Sequence, residues 1–473
     1  MSRLVVISNR VQQLKQSSGG NQGGLAVALL SALRERGGVW FGWSGETVES
    51  FTGDIHYQED GPTTSAVIDL EPQDIDEYYN GYANRTLWPL FHNRVDLTEF
   101  ERDFEGGYAR VNRRFAETAR PLIKRDDIVW VHDYHLIPLG GELRRLGVPN
   151  CIGFFLHTPW PPADLLLSLP THRKLVEALF NYDVIGFQTE DWLEHFRHYV
   201  INHLGGTLGQ DGALILGDRT VRAIAAPIGI DTAEFEAAAA SPEAELTRDR
   251  MYLSSPGRSL LVGVDRLDYS KGLTERFAGY ERFLSHHPDL RGLVYLLQIA
   301  PPSREKVDTY QEIRSSLDAL SGRINGEYAE IDWVPIRYVN QGYPRAELAG
   351  IFRAARIGLV TPLRDGMNLV AKEFVAAQDS RDPGVLILSQ FAGAAAQLKD
   401  AVLVNPFSAE EMADAIVMAL RMPRKERIAR WERLIDNVRR EDVHWWCAGF
   451  LDAMERAGEG GCAGAQPADQ IAQ

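Results

Sequence analysis

The stretch Leu260-Leu261-Val262-Gly263-Val264-Asp265-Arg266-Leu267-Asp268-Tyr269-Ser270-Lys271-Gly272 decides the fold class. Its first five residues are a short apolar run, the mark of a parallel strand covered on both faces. The run breaks into charged residues and closes on a glycine, as a loop at the carboxyl end of such a strand does. A second stretch has the same form: Ile357–Val360 leads into Thr361-Pro362-Leu363-Arg364-Asp365-Gly366-Met367-Asn368-Leu369-Val370-Ala371-Lys372-Glu373. Met367, Val370, Phe374 and Ala377 then give one apolar helical face.

Similar runs recur along the chain. Leu4–Ile7, Ile128–Val131, Ile152–Leu156, Val184–Phe187 and Val221–Ile224 form a first set. Leu260–Val264, Leu293–Ile299, Ile357–Val360, Val385–Leu388 and Val402–Val404 form a second. Helical stretches separate them, so the fold class is α/β, with two doubly wound Rossmann-like domains in tandem. The length of 473 residues is too great for one ordinary core. The Ala-, Glu-, Ser- and Pro-rich segment Asp231–Pro256 reads as the junction. The domains are placed at 1–235 and 236–445, with 446–473 a helix end and a frayed, disordered tail. Leu14–Gln22, polar and glycine-rich, reads as a mobile loop.

Hydrophobic residues make up 45% and charged residues 24%, a globular mixture. No apolar run is long enough to span a bilayer. Met1-Ser2-Arg3 passes directly into Leu4-Val5-Val6-Ile7, too short for a signal peptide, so a cytoplasmic location is expected. Cys151, Cys447 and Cys462 are widely spaced with no C-x-x-C, which argues against a disulfide framework or a cysteine metal site. A net charge of −15 argues against nucleic acid and membrane as partners. Any phosphate site in so acidic a chain must gather its cations locally.

Open parallel sheets bind ligands beyond the carboxyl ends of their strands. Leu4–Ile7 ends in Ser8-Asn9-Arg10. Gly23 and Gly24 then open a helix, where a phosphate can meet bare backbone N–H groups; a plain turn explains the pair equally well. His132-Asp133-Tyr134-His135 suits a metal, or presents Asp133 to sugar hydroxyls. His157 ends the next strand, a position where a lone histidine is more often structural. Asp74-Ile75-Asp76 resembles a D-x-D metal motif but reads as a helix start. Tyr79 and Trp88 suit stacking on a sugar, although such aromatics are more often core. Arg266 and Lys271 together suit a diphosphate; the alternative is two solvated surface cations. Arg304 is a further cation beyond a strand. The Asp365-Gly366 entry leaves helix N–H groups free for an anion, and Glu373 suits a ribose diol.

Taken in order with Trp40-Phe41-Gly42-Trp43-Ser44-Gly45, these motifs resemble the UDP-forming trehalose-6-phosphate synthase family, from about residue 2 to 450. The resemblance implies the GT-B fold, with two Rossmann-like domains facing a central cleft. It also implies retaining glucosyl transfer from UDP-glucose to glucose-6-phosphate, giving α,α-trehalose-6-phosphate and UDP, with no metal or other cofactor. On the acceptor it implies Arg10 and Arg304 for the phosphate, and Tyr79, Trp88 and Asp133 for the sugar. On the donor it implies Gly23 and Gly24, with Arg266 and Lys271 on the diphosphate. His157, Asp365, Gly366, Met367 and Asn368 would meet the donor sugar, Leu369, Val370 and Glu373 the nucleotide, and Tyr343 the uracil. Arg266, Lys271, His157 and Asp133 would be catalytic. The family's assembly is a homodimer or homotetramer. Rival readings are a related transferase with another acceptor, a metal phosphohydrolase on His132, Asp133, His135 and His157, and a silent sugar-phosphate sensor.

Overall fold

The computed structural model describes residues 2–11, 24–302 and 308–461. Gly23, Arg304, the Leu14–Gln22 loop and residues 462–473 lie outside these. The first half is built on ten strands: β1 (Leu4–Arg10), β2 (Gly38–Thr47), β3 (His56–Asp60), β4 (Thr63–Leu70), β5 (Ile128–His132), β6 (Ile152–Phe155), β7 (Val184–Phe187), β8 (Thr207–Leu208), β9 (Leu214–Leu216) and β10 (Arg219–Ala225). Their order is β3-β4-β2-β1-β5-β6-β7-β10-β9-β8. Pairing is parallel from β4 through β10 and antiparallel at both edges.

The second half uses β11 (Ser259–Val264), β12 (Val294–Ile299), β13 (Ile336–Val339), β14 (Ile357–Val360), β15 (Val385–Ser389) and β16 (Val402–Val404). Their order is β13-β12-β11-β14-β15-β16, parallel throughout. Every strand read from an apolar run is present. Of those not foreseen, β2 mixes tryptophan with glycine and β3 is a polar edge strand, His-Tyr-Gln-Glu-Asp, whereas β4 and β9 carry short apolar runs, Ala66-Val67-Ile68 and Leu214-Ile215-Leu216, that the reading passed over.

Strand order reverses between β1 and β5 in one sheet and between β11 and β14 in the other. Helices leave in opposite directions at such a point, which opens a crevice at the carboxyl ends. Arg10 and Asp133 emerge at the first crevice, and the Asp265–Gly272 and Thr361–Asn368 loops at the second.

The segment read as a junction is helical. Asp231 caps the Thr232–Ala239 helix and Ser241 caps the Pro242–Ser254 helix, each side chain accepting a backbone N–H. The division expected at 235/236 falls inside the first of these, and Phe235 stacks on Phe352 of the second half. The chain crosses between halves at 226–231, outside any helix or strand. It returns at 440–443: the Arg424–Arg440 helix bonds the second half through Trp431 Nε1 and Val375 O, 2.9 Å. The Val443–Gly461 helix then packs on the first sheet, where Phe450 stacks on Trp130 at 5.0 Å. That helix continues to Gly461, and Cys151 bonds the Met454 carbonyl at 3.2 Å.

Gly153 and Gly186 make room for this returning helix. A Cβ on Gly186 would lie 2.5 Å from Phe155 and 2.7 Å from Phe450. Gly186→Val should therefore cost about 1–3 kcal/mol through overpacking. Calorimetry should show a lowered melting transition; an unchanged one would refute this packing.

Candidate active site

The second-half loops are fastened by a cation that itself faces no ligand. Arg276 is 1% exposed. Its Nη1 donates to Asp265 Oδ2 at 2.7 Å and to Gln298 Oε1 at 2.8 Å, and its Nε donates to Thr361 Oγ1 at 3.0 Å. Those partners lie at the carboxyl ends of β11, β12 and β14. Leu273, Arg276, Phe277 and Tyr280 share one helical face, so the signal in the sequence is an arginine on an otherwise apolar stripe.

Two backbone positions shape the loops above it. Gly272 has φ +63°, and a Cβ there would lie 2.5 Å from the Thr361 carbonyl. Asn368 takes φ 66° as the residue preceding the Leu369–Ala377 helix, a conformation asparagine tolerates better than most residues. The helix N-terminus is thereby turned into the crevice, with unpaired N–H groups and a positive dipole end. Beside it, Lys271 Nζ meets Asp365 Oδ2 at 2.5 Å, while Asp365 Oδ1 accepts the Gly366 N–H at 2.9 Å. Lys271 keeps two further N–H donors for a phosphate. Glu373 lies farther along the helix, and burial raises its pKa, an effect Arg345 partly offsets.

In the first half, Arg10 lies exposed at the end of β1, its guanidinium 5.4 Å from the Trp43 ring. Asp133 has φ 76°, uncommon for a residue with a side chain, and its Oδ1 accepts the His157 N–H at 3.2 Å. His157 Nε2 lies 3.1 Å from His132 Nδ1. Burial holds His157 neutral, with a pKa of about 3, and keeps His132 well below the ordinary range. Tyr79 lies on a π-helix, Ile75–Leu87, and stacks on His135 at 5.9 Å. The histidines of the His-Asp-x-His run thus take separate partners. Asp74 is a helix residue paired with Arg110 and Arg114, and among the described residues no group of three His, Cys, Asp or Glu could hold a metal.

The halves meet across the crevices. Arg266 is exposed, has no ion pair among the described residues, and sits 5.9 Å from the ring of Trp88. Trp88 Nε1 donates to Asp268 Oδ1 at 3.4 Å. With its amide turned to suit, Asn93 accepts from Arg364 Nε and Nη2 at 3.0 and 3.1 Å. Tightest is Gly366, where a Cβ would lie 1.7 Å from the His157 carbonyl oxygen.

The structure therefore gathers Arg10, Asp133, His157, Trp88, Arg266, Lys271, Asp365, Gly366, Met367 and Asn368 at the two switch points and the contacts between them. Leu369, Val370 and Glu373 follow on the helix behind. Tyr343, half-buried, lies in the connection between β13 and the Arg345–Ala354 helix. Gly24 begins the Gly24–Arg36 helix. Arg276, Asp268 and the Asn93–Arg364 clasp are additions that the sequence reading missed.

Two doubly wound halves, with cations and a helix N-terminus facing a shared cleft, define a glycosyltransferase of GT-B architecture. Residues 2–456 match the model of glycosyltransferase family 20, and the chain belongs to that family. It is 48% identical over 457 residues to a trehalose-6-phosphate synthase of Sinorhizobium fredii, covering 96% of this chain and 98% of that one. Among solved structures it resembles a UDP-forming α,α-trehalose-phosphate synthase from Burkholderia xenovorans in complex with glucose-6-phosphate. That match has a TM-score of 0.92 and 48% identity, and covers 96% of this chain and 100% of the other. An Escherichia coli structure with UDP-2-fluoro glucose bound matches with a TM-score of 0.92 and 44% identity, covering 96% and 99%.

Gly366→Ala should separate the halves without unfolding either. The misplacement predicts a loss of turnover of about 100-fold with little change in melting temperature; near-normal turnover would show that the contact is dispensable. Burial also depresses His92, to about 4, along with His132. Below pH 6.5 the unfolded chain takes up protons at these rings while the folded chain does not. Stability is thus full above that pH and falls as pH drops toward the folded values, by about 1.4 kcal/mol per pH unit for each ring. Denaturation midpoints from pH 7 to 4 check this, and a flat profile contradicts it.

Proposed function

We propose that the chain transfers the glucosyl group of UDP-glucose to the anomeric oxygen of glucose-6-phosphate with retention, forming α,α-trehalose-6-phosphate and UDP. The observation that carries this is Arg266. It stands at the second switch point, with no ion pair among the described residues, and reaches an aromatic of the opposite half. A cation so placed suits a diphosphate leaving toward it. Membership of family 20, and relatives with glucose-6-phosphate and a UDP-glucose analogue bound, support the same substrates.

In this reading the first half takes the acceptor, with Arg10 and Arg304 on its phosphate and Tyr79, Trp88 and Asp133 on its sugar. The second half takes the donor: Arg266 and Lys271 on the diphosphate, Asp365 through Asn368 on the glucosyl group with His157 and the Gly23-Gly24 turn opposite, Leu369, Val370 and Glu373 on the nucleoside, and Tyr343 at the base. A homodimer or homotetramer in the cytoplasm belongs to the same reading, and light scattering tests the assembly.

Retention through a covalent intermediate usually takes a carboxylate nucleophile. The carboxylates nearest the cleft are engaged otherwise: Asp133 accepts the His157 N–H, and Asp365 holds Lys271 and the Gly366 N–H. Front-face attack needs no such nucleophile. UDP begins to depart, positive charge develops on the glucosyl carbon, and the acceptor hydroxyl attacks from the same side while its proton passes to the departing phosphate oxygen. The protein supplies position and electrostatics. Closure of Gly366 onto His157 excludes water, the competing nucleophile.

UDP release with and without glucose-6-phosphate, in EDTA, with the sugar product identified, tests the proposal. Acceptor-dependent release of α,α-trehalose-6-phosphate is expected. No acceptor-dependent release sinks it, and loss of activity in EDTA favours metal chemistry. Arg266→Ala should lose about 100- to 1,000-fold in turnover, whereas Arg10→Ala should mainly raise the acceptor KM.

A further inference from the structure

Beneath the cleft, a chain of hydrogen bonds joins the donor site to the crossing between the halves. Gln188 follows β7 and is 1% exposed. Its Oε1 accepts the N–H of Ile228 at 2.9 Å, and its Nε2 lies 3.4 Å from His157 Nδ1. Ile228 belongs to the 226–231 crossing. Its carbonyl accepts from Lys372 Nζ at 2.7 Å, and Lys372, fully buried, sits beside Glu373 on the Leu369–Ala377 helix.

The protons along this chain follow from its one fixed member. A backbone N–H can only donate, so the Gln188 atom facing Ile228 is oxygen and the atom facing His157 is the NH2 group. An NH2 group also only donates, so His157 Nδ1 accepts and its ring proton lies on Nε2. That Nε2–H donates to His132 Nδ1, 3.1 Å away, which leaves the His132 proton on its own Nε2. The cost falls there: among the described residues His132 Nε2, buried, has no hydrogen-bond partner. Both nitrogens of His157 are thus committed, and the ring neither takes nor gives a proton during transfer. What it presents to the opposite half is its backbone carbonyl, against Gly366.

We infer that Gln188 is a positioning residue for glucosyl transfer, locking His157 in the Nε2–H tautomer and tying it through Ile228 and Lys372 to the nucleotide helix. The inference rests on His157 lying at the donor site, as proposed above.

Gln188→Glu tests it. A carboxylate still accepts from Ile228 but offers His157 only an acceptor, so the ring must move its proton to Nδ1 or gain a second one. Nitrogen-15 NMR of labelled histidines should find His157 and His132 both protonated on Nε2 in the wild-type protein at neutral pH. In Gln188→Glu, His157 should become protonated on Nδ1. Turnover should fall about 10- to 100-fold, up to the loss that a small misplacement in a positioned site brings, while the KM for glucose-6-phosphate holds. A wild-type His157 protonated on Nδ1 overturns the inference, as does a reversed tautomer with wild-type turnover. The wild-type spectrum needs neither substrate nor a folded variant, so it fails or succeeds independently of the reaction assay.

Discussion

A guanidinium almost wholly shut off from water holds the second half's cleft loops together. Arg276 joins the carboxyl ends of three strands through Asp265, Gln298 and Thr361. A buried arginine requires a carboxylate and further acceptors around it, and here they come from the carboxyl ends of three neighbouring strands, which must stay in register. The loop bearing Arg266 and the loop leading to the Leu369–Ala377 helix are therefore set relative to one another before any ligand arrives. Arg276 serves shape, which leaves Arg266 and Lys271 to serve charge. In a chain of net charge −15, the acidic residues of these loops are thus consumed in fixing their shape, Asp265 on Arg276 and Asp365 on Lys271 and the Gly366 N–H.

Contact between the halves follows a similar economy. Gly366 admits the His157 carbonyl because it has no side chain, and Trp88 reaches Asp268 from the other half. These meetings bring residues of the two halves within a few ångströms, although their sheets are built separately. Burial keeps His132 and His157 neutral, so the cleft's positive field comes from arginine, lysine and helix termini.

Much of this was legible in the sequence because parallel strands announce themselves as apolar runs and their carboxyl-end loops as sudden clusters of charge. Asp265–Gly272 and Leu363–Glu373 were readable for that reason. Strands such as β2 and β3 were not, since tryptophan-glycine mixtures and polar edges carry no such mark. The Ala-rich stretch after Asp231 suggested a linker by composition, whereas its helix propensity and the Asp231 and Ser241 caps made it a pair of packed helices. Gln188 was invisible because its role depends on a backbone N–H forty residues away in sequence. Arg276 was visible in principle, as a charge on an apolar face. Gly23 and Arg304, legible by resemblance, fall outside the described residues.

The two chain crossings lie side by side and are bonded to each other. Val443 N–H donates to Ile230 O at 3.0 Å, Thr232 Oγ1 donates to Val438 O at 2.9 Å, and Gly229 sits so close that a Cβ would fall 2.3 Å from Asp442. A single tether lets one body swivel freely about another. A doubled tether, pinned along its length, behaves as a door hinge with two knuckles and leaves chiefly one axis of rotation. Any rotation of one half against the other is thereby held to one coordinate, with the Gly366–His157 contact as its doorpost.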